Sequence, residues 1–433
     1  MDMDKWLERL DLDKNGLSAV VSGNIKKYRM GDFRLSVREA NNAPVTGAKL
    51  TVKQVSHDFK FGSNAFMAGG FETAERNATY DAVFKNTFNQ AVLPFYWKDD
   101  EPQRGVYRFD KNSPPIHRRP NPEFMLEWCK KVEVEPKAHN LVWDGSGLPE
   151  WLPRTPESLD PQLTLRIKEL AHRFADKIPV WDVVNEFLSR DRRSFMKDCH
   201  IYYFKLAQEL FPNCELIANE DTERTWDAFT GDSSRFYLYL QHLLLSGCKV
   251  DGIGMQYHLF SKKEVLHERL NTSLNAENLL ACQSFYATFA KDIHISEISI
   301  PSYNEPGKGE EIQARMTENL FKIWFSGEQN RSIVWWNLVD GYASQLLQWG
   351  WDENIFGAGL FRKDLTPKPA FLVVENLINK KWHTEQSLTT DQNGYATFNG
   401  FHGKYLVTIE KNGHKTVIPM HFNKAHYSCS TQI

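Results

Sequence analysis

The 433-residue sequence predicts an α/β fold, a closed (β/α)8 barrel, with a small accessory β-sandwich formed from its N- and C-terminal segments. The barrel is predicted by eight short apolar runs and by the stretches between them, in which apolar residues recur with a period near 3.6. The sandwich is predicted by alternating apolar and polar residues at both ends of the chain. The length suits a barrel of roughly 300 residues together with an accessory module.

Residues 1–58 are predicted to form a leader and the first accessory strands. The first 24 residues form a short polar leader in this interpretation. Alternation then begins, with Phe33, Leu35 and Val37 on one face of a predicted strand. The sequence at 41–44, Asn-Asn-Ala-Pro, predicts the turn that follows.

Residues 59–380 are predicted to form the barrel. The apolar runs are continuous rather than alternating, which is typical of parallel strands buried on both faces. The predicted strands are 59–66, 90–97, 135–143, 180–187, 215–220, 252–259, 293–300 and 332–340. The clearest predicted helices are 122–132, 163–174, 195–210 and 311–325, and a last helix at about 370–380 closes the barrel.

Residues 381–433 return to strand patterning, with turn signals at 391–394 and 411–413. The simplest arrangement is that this segment pairs with the N-terminal strands in one sandwich beside the barrel. A separate C-terminal module is the alternative.

Two glutamates stand inside the apolar runs, near the carboxyl ends of the fourth and seventh predicted strands. A charged Glu186 or Glu297 in such a place costs several kcal/mol unless it is paired or functional. Active-site groups of a (β/α)8 barrel gather at the carboxyl ends of its strands. Two carboxyls there can cleave a glycosidic bond, because one protonates the leaving oxygen while the other attacks or activates water. A structural ion pair is the alternative for either residue alone.

Seven segments, in the right order over roughly residues 59–380, resemble the motifs of glycoside hydrolase family 10, the xylanase family. Segment 181–187 (WDVVNEF) resembles the acid/base strand of that family, and segment 295–298 (ISEI) resembles its nucleophile strand. The remaining segments are 101–105 (EPQRG), 139–143 (HNLVW), 252–258 (GIGMQYH), 334–340 (VWWNLVD) and 360–370, which begins with LF and ends with PKPA.

The resemblance implies a retaining mechanism, with Glu186 as acid/base and Glu297 as the nucleophile that forms a covalent glycosyl-enzyme. It also implies that Asn185 binds the sugar 2-OH, that His258 keeps Glu297 ionised, and that Gln256 supports Glu186. The other substrate-binding residues it implies are His139, Trp143 and Trp336 around the sugar at subsite −1, Trp97 as the remnant of the −2 cluster, and Trp349 with Trp351 as a cap.

The sequence departs from the family pattern around these residues. The Glu-Asn-x-x-Lys-Trp cluster that grips the sugar at subsite −2 is reduced to Trp97 within an aromatic stretch at 95–97. Ser299 replaces the Asp that supports the catalytic His, Glu220 replaces an Asp after the fifth strand, and Asn337 replaces a Gly. The departures predict that the glycone side of the site is remodelled.

The function expected from the resemblance is hydrolysis of β-1,4-xylosidic bonds in xylan-type plant cell-wall polysaccharide. The expected partner is β-xylan or a related plant glycan. Two alternatives stay open: an exo-acting or small-glycoside β-glycosidase, and a non-catalytic carbohydrate-binding barrel. Activity on aryl glycosides without activity on polymers would favour the first, while the presence of both glutamates argues against the second.

Composition excludes several other classes of partner. The net charge of −3 gives no electrostatic case for nucleic acid, and no apolar run reaches membrane-spanning length. No dinucleotide, phosphate-loop or metal motif appears in the sequence, so we expect neither a cofactor nor a metal. We expect a monomer that is secreted or periplasmic, its leader absent from this sequence, with a cytoplasmic protein as the alternative.

Overall fold

The computed structural model describes residues 3–145, 147–188, 198–346 and 350–433. The chain begins with two helices, α1 (Asp4–Leu10) and α2 (Ser18–Arg29). Neither helix is predicted by the sequence, which indicates only a polar leader here. The first helix is anchored because Trp6, Leu7 and Leu10, which its periodicity places on one face, are buried against the barrel.

Two accessory strands follow, β1 (Met30–Arg38) and β2 (Lys49–His57), and then the chain enters the barrel. The barrel strands are β3 (Lys60–Asn64), β4 (Gln90–Pro94), β5 (Glu135–His139), β6 (Val180–Asn185), β7 (Glu215–Glu220), β8 (Gly252–His258), β9 (Asp292–Ser299) and β10 (Asn330–Trp335). They close in the order β10-β3-β4-β5-β6-β7-β8-β9, and every neighbouring pair is parallel. The predicted (β/α)8 barrel is therefore confirmed.

Helices surround the barrel. They are α3 (Ala74–Thr87), α4 (Trp97–Asp100), α5 (Pro122–Val132), α6 (Pro156–Phe174), α7 (Cys199–Leu210), α8 (Arg235–Leu245), α9 (Lys263–Glu268), α10 (Ala276–Tyr286), α11 (Lys308–Phe325) and α12 (Pro369–Asn376). A two-stranded hairpin, β11 (Gln345–Leu346) with β12 (Trp351–Asp352), lies in the loop after β10. No helix in the described ranges is both long and apolar enough to span a membrane.

The boundaries of α5 show why the sequence forms these helices. Asn121 accepts a hydrogen bond from the N–H of Phe124, and Pro122 occupies the first turn, where no N–H is needed. The helix ends at Glu133, which adopts the left-handed conformation at the C-cap. The residues buried against the barrel recur with helical spacing; they are Met125, Trp128, Cys129 and Val132.

The C-terminal strands complete the accessory sandwich. They are β13 (Glu385–Thr389), β14 (Tyr395–Phe401), β15 (Gly403–Lys411), β16 (His414–Phe422) and β17 (Ser428–Gln432). One sheet has the order β14-β1-β17 and the other β13-β2-β15-β16, so each contains a strand from the N-terminal segment. The two sheets share an apolar core that includes Phe33, Val52, Phe398 and Val407. The predicted sandwich of N- and C-terminal segments is confirmed.

Among the register shifts of the barrel, one adds a residue to β9 and another adds a residue to β6. In β9 the residues from Ile295 to Ile298 span three steps, whereas the partner residues in β10 span only two. In β6 the two residue steps from Asp182 to Val184 lie opposite a single residue step in β7, so β6 has the extra residue. Such bulges bend a strand and redirect the side chains that follow. Both bulges lie beside the glutamates singled out in the sequence, Glu186 and Glu297.

Candidate active site

A cavity of about 580 Å³ opens at the carboxyl ends of the barrel strands. Its wall combines apolar rings with groups that can bind hydroxyls, the composition expected of a small-molecule site. The rings belong to Phe66, Tyr96, Trp143, Phe260, Trp336 and Trp351. The polar side chains belong to Arg118, Arg119, His139, Asp144, Asn185, Glu186, His258, Glu297, Ser344 and Glu353.

Glu297 is held in the cavity by three neighbouring side chains. The side-chain amide of Asn219 donates to its Oε1 at 2.8 Å, and Nε2 of His258 lies 3.1 Å from its Oε2. His139 approaches Oε1 at 3.8 Å. Burial tends to raise the pKa of Glu297, but the charge of His139 and the hydrogen bond and charge of His258 outweigh burial, so that the pKa is lowered. Glu297 is therefore held as a carboxylate at neutral pH.

The two histidines beside Glu297 are themselves fixed by hydrogen bonds. Nδ1 of His258 lies 2.9 Å from the hydroxyl of Ser299, the residue that stands in place of the family's Asp. Nδ1 of His139 lies 2.8 Å from Asp182, whose other oxygen pairs with Lys137 at 3.0 Å. The fixed rings leave Glu297 little freedom to rotate.

Glu186 lies directly after β6 in a left-handed backbone conformation, with φ 51°. This conformation costs a non-glycine residue about 1–2 kcal/mol. The backbone is held there by a 2.8 Å hydrogen bond from its N–H to the carbonyl of Asn219. Its carboxyl accepts from the indole N–H of Trp143 at 3.0 Å and from the amide of Gln256 at 3.4 Å. The side chain is thus directed into the cavity on a rigid support.

Glu220 lies close to Glu186, and its own ionisation is strongly shifted. Burial, with smaller contributions from Asp221 and Glu186, raises the pKa of Glu220 to about 8. Its carboxyl accepts hydrogen bonds from the backbone N–H of Leu188 and of Asp221. At neutral pH Glu220 is mostly protonated, so it adds little negative charge beside Glu186.

A chain of amides connects the two catalytic candidates. Nδ2 of Asn219 donates to Glu297 and also to Oδ1 of Asn185, the second bond at 2.7 Å. The hydroxyl of Ser296 donates to Oδ1 of Asn219 at 2.6 Å. Gln256 extends the chain by donating to Asn185 at 3.4 Å. A side chain at Gly254 would place its Cβ 2.2 Å from Oδ1 of Asn219, so this chain requires glycine there.

The structure gathers most of the predicted site residues around the cavity. Those that line it are His139, Trp143, Asn185, Glu186, His258, Glu297, Trp336 and Trp351. Gln256 is buried behind them in contact with Asn185 and Glu186. Trp349 lies outside the described residues.

Trp97 requires a correction. It does not line the cavity: it is 4% exposed, packs in the barrel core and donates its indole N–H to Glu101 at 2.8 Å. The preceding residue, Tyr96, takes the wall position instead. The reason is local, because the chain leaves β4 and begins the short helix α4 at Trp97, which turns the indole inwards.

Several functional candidates are not predicted by the sequence. Asn219 joins the two glutamates, and its only signal was its place at the end of the fifth strand. Arg118 and Arg119 come from the long loop before α5, and Glu353 comes from the loop after β10. Loop residues carry no periodicity, so no pattern predicted that they would meet at the cavity.

A parallel barrel with two glutamates and several tryptophans at the carboxyl ends of its strands is the architecture of a barrel glycoside hydrolase. Comparison with known proteins identifies the group. Residues 51–377 match the model of glycosyl hydrolase family 10, and the chain belongs to this family.

Individual relatives are distant. The chain is 25% identical over 404 residues to the anti-sigma-I factor RsgI6 of Acetivibrio thermocellus, a match that covers 90% of this chain and 46% of that protein. It is 23% identical to endo-1,4-beta-xylanase 2 of Arabidopsis thaliana, a match that covers 95% of this chain and 35% of that protein. It is 24% identical to endo-1,4-beta-xylanase B of Thermotoga neapolitana, a match that covers 70% of this chain and 84% of that protein. The chain thus spans less than half the length of the first two relatives.

The fold is also found among solved structures. Xylanase 10B of Thermotoga petrophila, solved in complex with xylobiose, superposes with a TM-score of 0.59 at 23% identity. The superposition covers 75% of this chain and 95% of that one. At this identity the likeness establishes the fold.

Proposed function

We propose that the protein is a retaining glycoside hydrolase that cleaves β-1,4-xylosidic bonds of xylan-type plant polysaccharide. The observation that carries the proposal is the contrast between two glutamates on one cavity. Glu297 is held as a carboxylate by His258, His139 and Asn219, whereas Glu186 accepts from Trp143 and Gln256 at the same cavity. Membership of glycosyl hydrolase family 10 and its xylanase relatives supports the choice of glycan.

The proposed reaction has two displacements. The Glu297 carboxylate attacks the anomeric carbon while Glu186 gives its proton to the leaving glycosidic oxygen, which yields a covalent glycosyl ester and a released sugar. Glu186, now a carboxylate, takes a proton from water, the water oxygen attacks the same carbon, and Glu297 leaves as a carboxylate. Asn185 binds the sugar 2-OH, and Trp143 and Trp336 pack against the ring.

The first experiment compares the wild type with Glu297→Gln on xylan, on xylo-oligosaccharides and on an aryl β-xyloside, with products resolved by size. We expect oligosaccharides from xylan with the wild type and a loss of at least a thousandfold in the variant. Glu277→Gln is the matched control, because Glu277 is exposed on α10 and does not line the cavity. Equal loss in both variants would show a folding defect and contradict the assigned role.

The variant Glu186→Ala tests the other role. Without an acid, hydrolysis of xylan should be lost, whereas an aryl glycoside with an acidic leaving group should still form the glycosyl-enzyme, because its leaving oxygen needs no proton. For the wild-type enzyme, proton NMR of the first-formed product shows whether the anomeric configuration of the cleaved sugar is retained or inverted. An inverted product would refute the retaining mechanism.

A second candidate is an exo-acting or short-glycoside enzyme. It is favoured by the loss of the family's −2 cluster from the sequence, together with the presence of Tyr96, Arg118 and Arg119 in the wall of the cavity. Release of single sugars or aryl groups, with no oligosaccharide ladder from xylan, would support this candidate over the endo-acting enzyme.

A further inference from the structure

Two consecutive arginines line the cavity next to Tyr96. The guanidinium carbon of Arg119 lies 4.2 Å from the centre of the Tyr96 ring, whose centre lies 5.8 Å from that of His139. His139 in turn approaches Glu297 at 3.8 Å. The rings of Tyr96 and His139 therefore lie between Arg119 and Glu297, a separation that suits contact with a neighbouring sugar rather than with the sugar being cleaved.

Arg118 is buried without a carboxylate partner. It is 7% exposed, and its one hydrogen bond among the described residues goes from Nη1 to the carbonyl of Tyr342. No described carboxylate lies within ion-pair distance of its guanidinium, which presents five N–H donors. A buried guanidinium of this kind favours an acceptor from outside the chain.

The acids nearby are already engaged. Asp99 pairs with Nε of Arg119 at 2.8 Å. Glu353 accepts from the amide of Asn337 at 2.6 Å and from the backbone N–H of Ser344 at 3.3 Å.

The electrostatic surroundings disfavour the charge of Arg118. Burial, followed by repulsion from Arg119, lowers the pKa of Arg118 to about 10, and Glu353 only partly opposes them. The guanidinium stays charged at neutral pH, and a bound anion would stabilise it.

We propose that the sugar unit next to the cleaved one, on the side of the arginines, carries a carboxylate that binds Arg118 and Arg119. The substrate is then an acidic glycan, with a uronic acid either as a unit of the chain or as a branch. A guanidinium matches a carboxylate with two parallel hydrogen bonds, which gives geometric selectivity over a neutral hydroxyl. The inference rests on the proposed function, because it assigns the neighbour of the cleaved sugar.

The test measures binding separately from catalysis. Calorimetry on the Glu186→Gln variant compares xylotriose with xylotriose that carries a glucuronic acid branch, and cellobiose with the disaccharide whose non-reducing unit is glucuronic acid. We expect the acidic member of at least one pair to bind about tenfold to a hundredfold more tightly, with a preference that weakens as salt is added. Which pair shows the preference distinguishes a branch from a unit of the chain.

Three further substitutions, each combined with Glu186→Gln, make the test specific. Arg118→Gln should reduce the ratio of acidic to neutral affinity about tenfold or more, whereas Glu353→Gln should increase it, because it removes the competing negative charge. Arg315→Gln, on the exposed face of α11, is the matched control and should leave the ratio unchanged. The opposite sign expected for Glu353→Gln keeps the test decisive if Arg118→Gln fails to fold.

Equal affinities within both pairs, or a preference that Arg118→Gln leaves intact, would overturn the inference. Hydrolysis by the wild-type enzyme separates this failure from failure of the proposed function. Cleavage of neutral and acidic xylo-oligosaccharides at equal rates would support the hydrolase function and contradict recognition of a uronic acid. Preferential binding of the acidic sugars without any cleavage would support recognition of an acidic ligand and contradict the hydrolase function.

Discussion

Replacing His258 with alanine tests how the charge of Glu297 is maintained. The substitution removes the 3.1 Å contact from Nε2 to Oε2 and one of the two histidines that lower the pKa of Glu297. The pKa of Glu297 should therefore rise, since burial, which raises it, is then opposed mainly by His139. In the proposed mechanism Glu297 must be ionised to act as the nucleophile, so activity should be lost at a higher pH than in the wild type as the solution is made more acidic.

The magnitude follows from the contact. A hydrogen bond to a charged group contributes about 1.5–3 kcal/mol. Loss of that free energy from the transition state corresponds to about a tenfold to hundredfold fall in kcat/KM. The fall should be largest on the acid limb of the profile, where the altered pKa also reduces the ionised fraction of Glu297.

The assay is kcat/KM against pH on an aryl β-xyloside for the wild type and His258→Ala, because this profile reports the ionisation of the free enzyme. His172→Ala, an exposed histidine near the end of α6, is the control and should leave the profile unchanged. A uniform fall in kcat/KM at every pH, with the acid limb unmoved, would refute the reasoning. It would show that His258 positions the substrate instead of keeping Glu297 ionised.

Three other substitutions probe the site and its support. Asn219→Ala removes a hydrogen bond to Glu297 and should lower kcat/KM about tenfold to a hundredfold, measured on the aryl glycoside; an unchanged value would contradict the amide connection. Lys137→Met leaves Asp182 buried without its lysine and should reduce the free energy of unfolding in urea by about 3–5 kcal/mol. The net pKa of Asp182 is lowered, because Lys137 and His139 outweigh burial, so that loss should be full at neutral pH and shrink as pH falls through the folded pKa; a loss independent of pH would contradict the ion pair. Trp6→Ala should cost about 3–5 kcal/mol by the same measurement, and a negligible effect would show that α1 is not part of the folded unit.

The parts of the fold with strong periodicity were predictable from sequence. The helix at 122–132 and the strand at 215–220 agree with the structure at both ends, because burial fixes their patterns. The strand expected at 135–143 is observed only over Glu135–His139, since its remaining apolar residues pack in the loop that follows. Leu141 and Val142 are buried there without a continuous strand, a distinction that hydrophobicity alone does not make.

The site was predictable where it lies on strands and not where it lies on loops. Glu186 and Glu297 were recognisable because a carboxyl group within an apolar strand costs free energy unless it is paired or functional. Tyr96 and Trp97 adjoin each other in sequence, and only the start of α4 decides which of them faces the cavity. Arg118 appeared as one charge in a loop rich in charges, and only the tertiary structure brings it to the cavity.

The pairing of β2 with β15 has a consequence for synthesis of the chain. Val52 lies opposite Val407, so a strand made early meets its neighbour only about 350 residues later. At roughly 5–20 residues per second on the ribosome, the wait is on the order of 20–70 s. Throughout that time the apolar face formed by Leu50 and Val52 has no partner sheet to cover it. The barrel strands pair largely with the next strand along the chain, whereas β2 gains its partners only after β13 and β15 have been made, so its apolar face is the part of the nascent chain most exposed to aggregation.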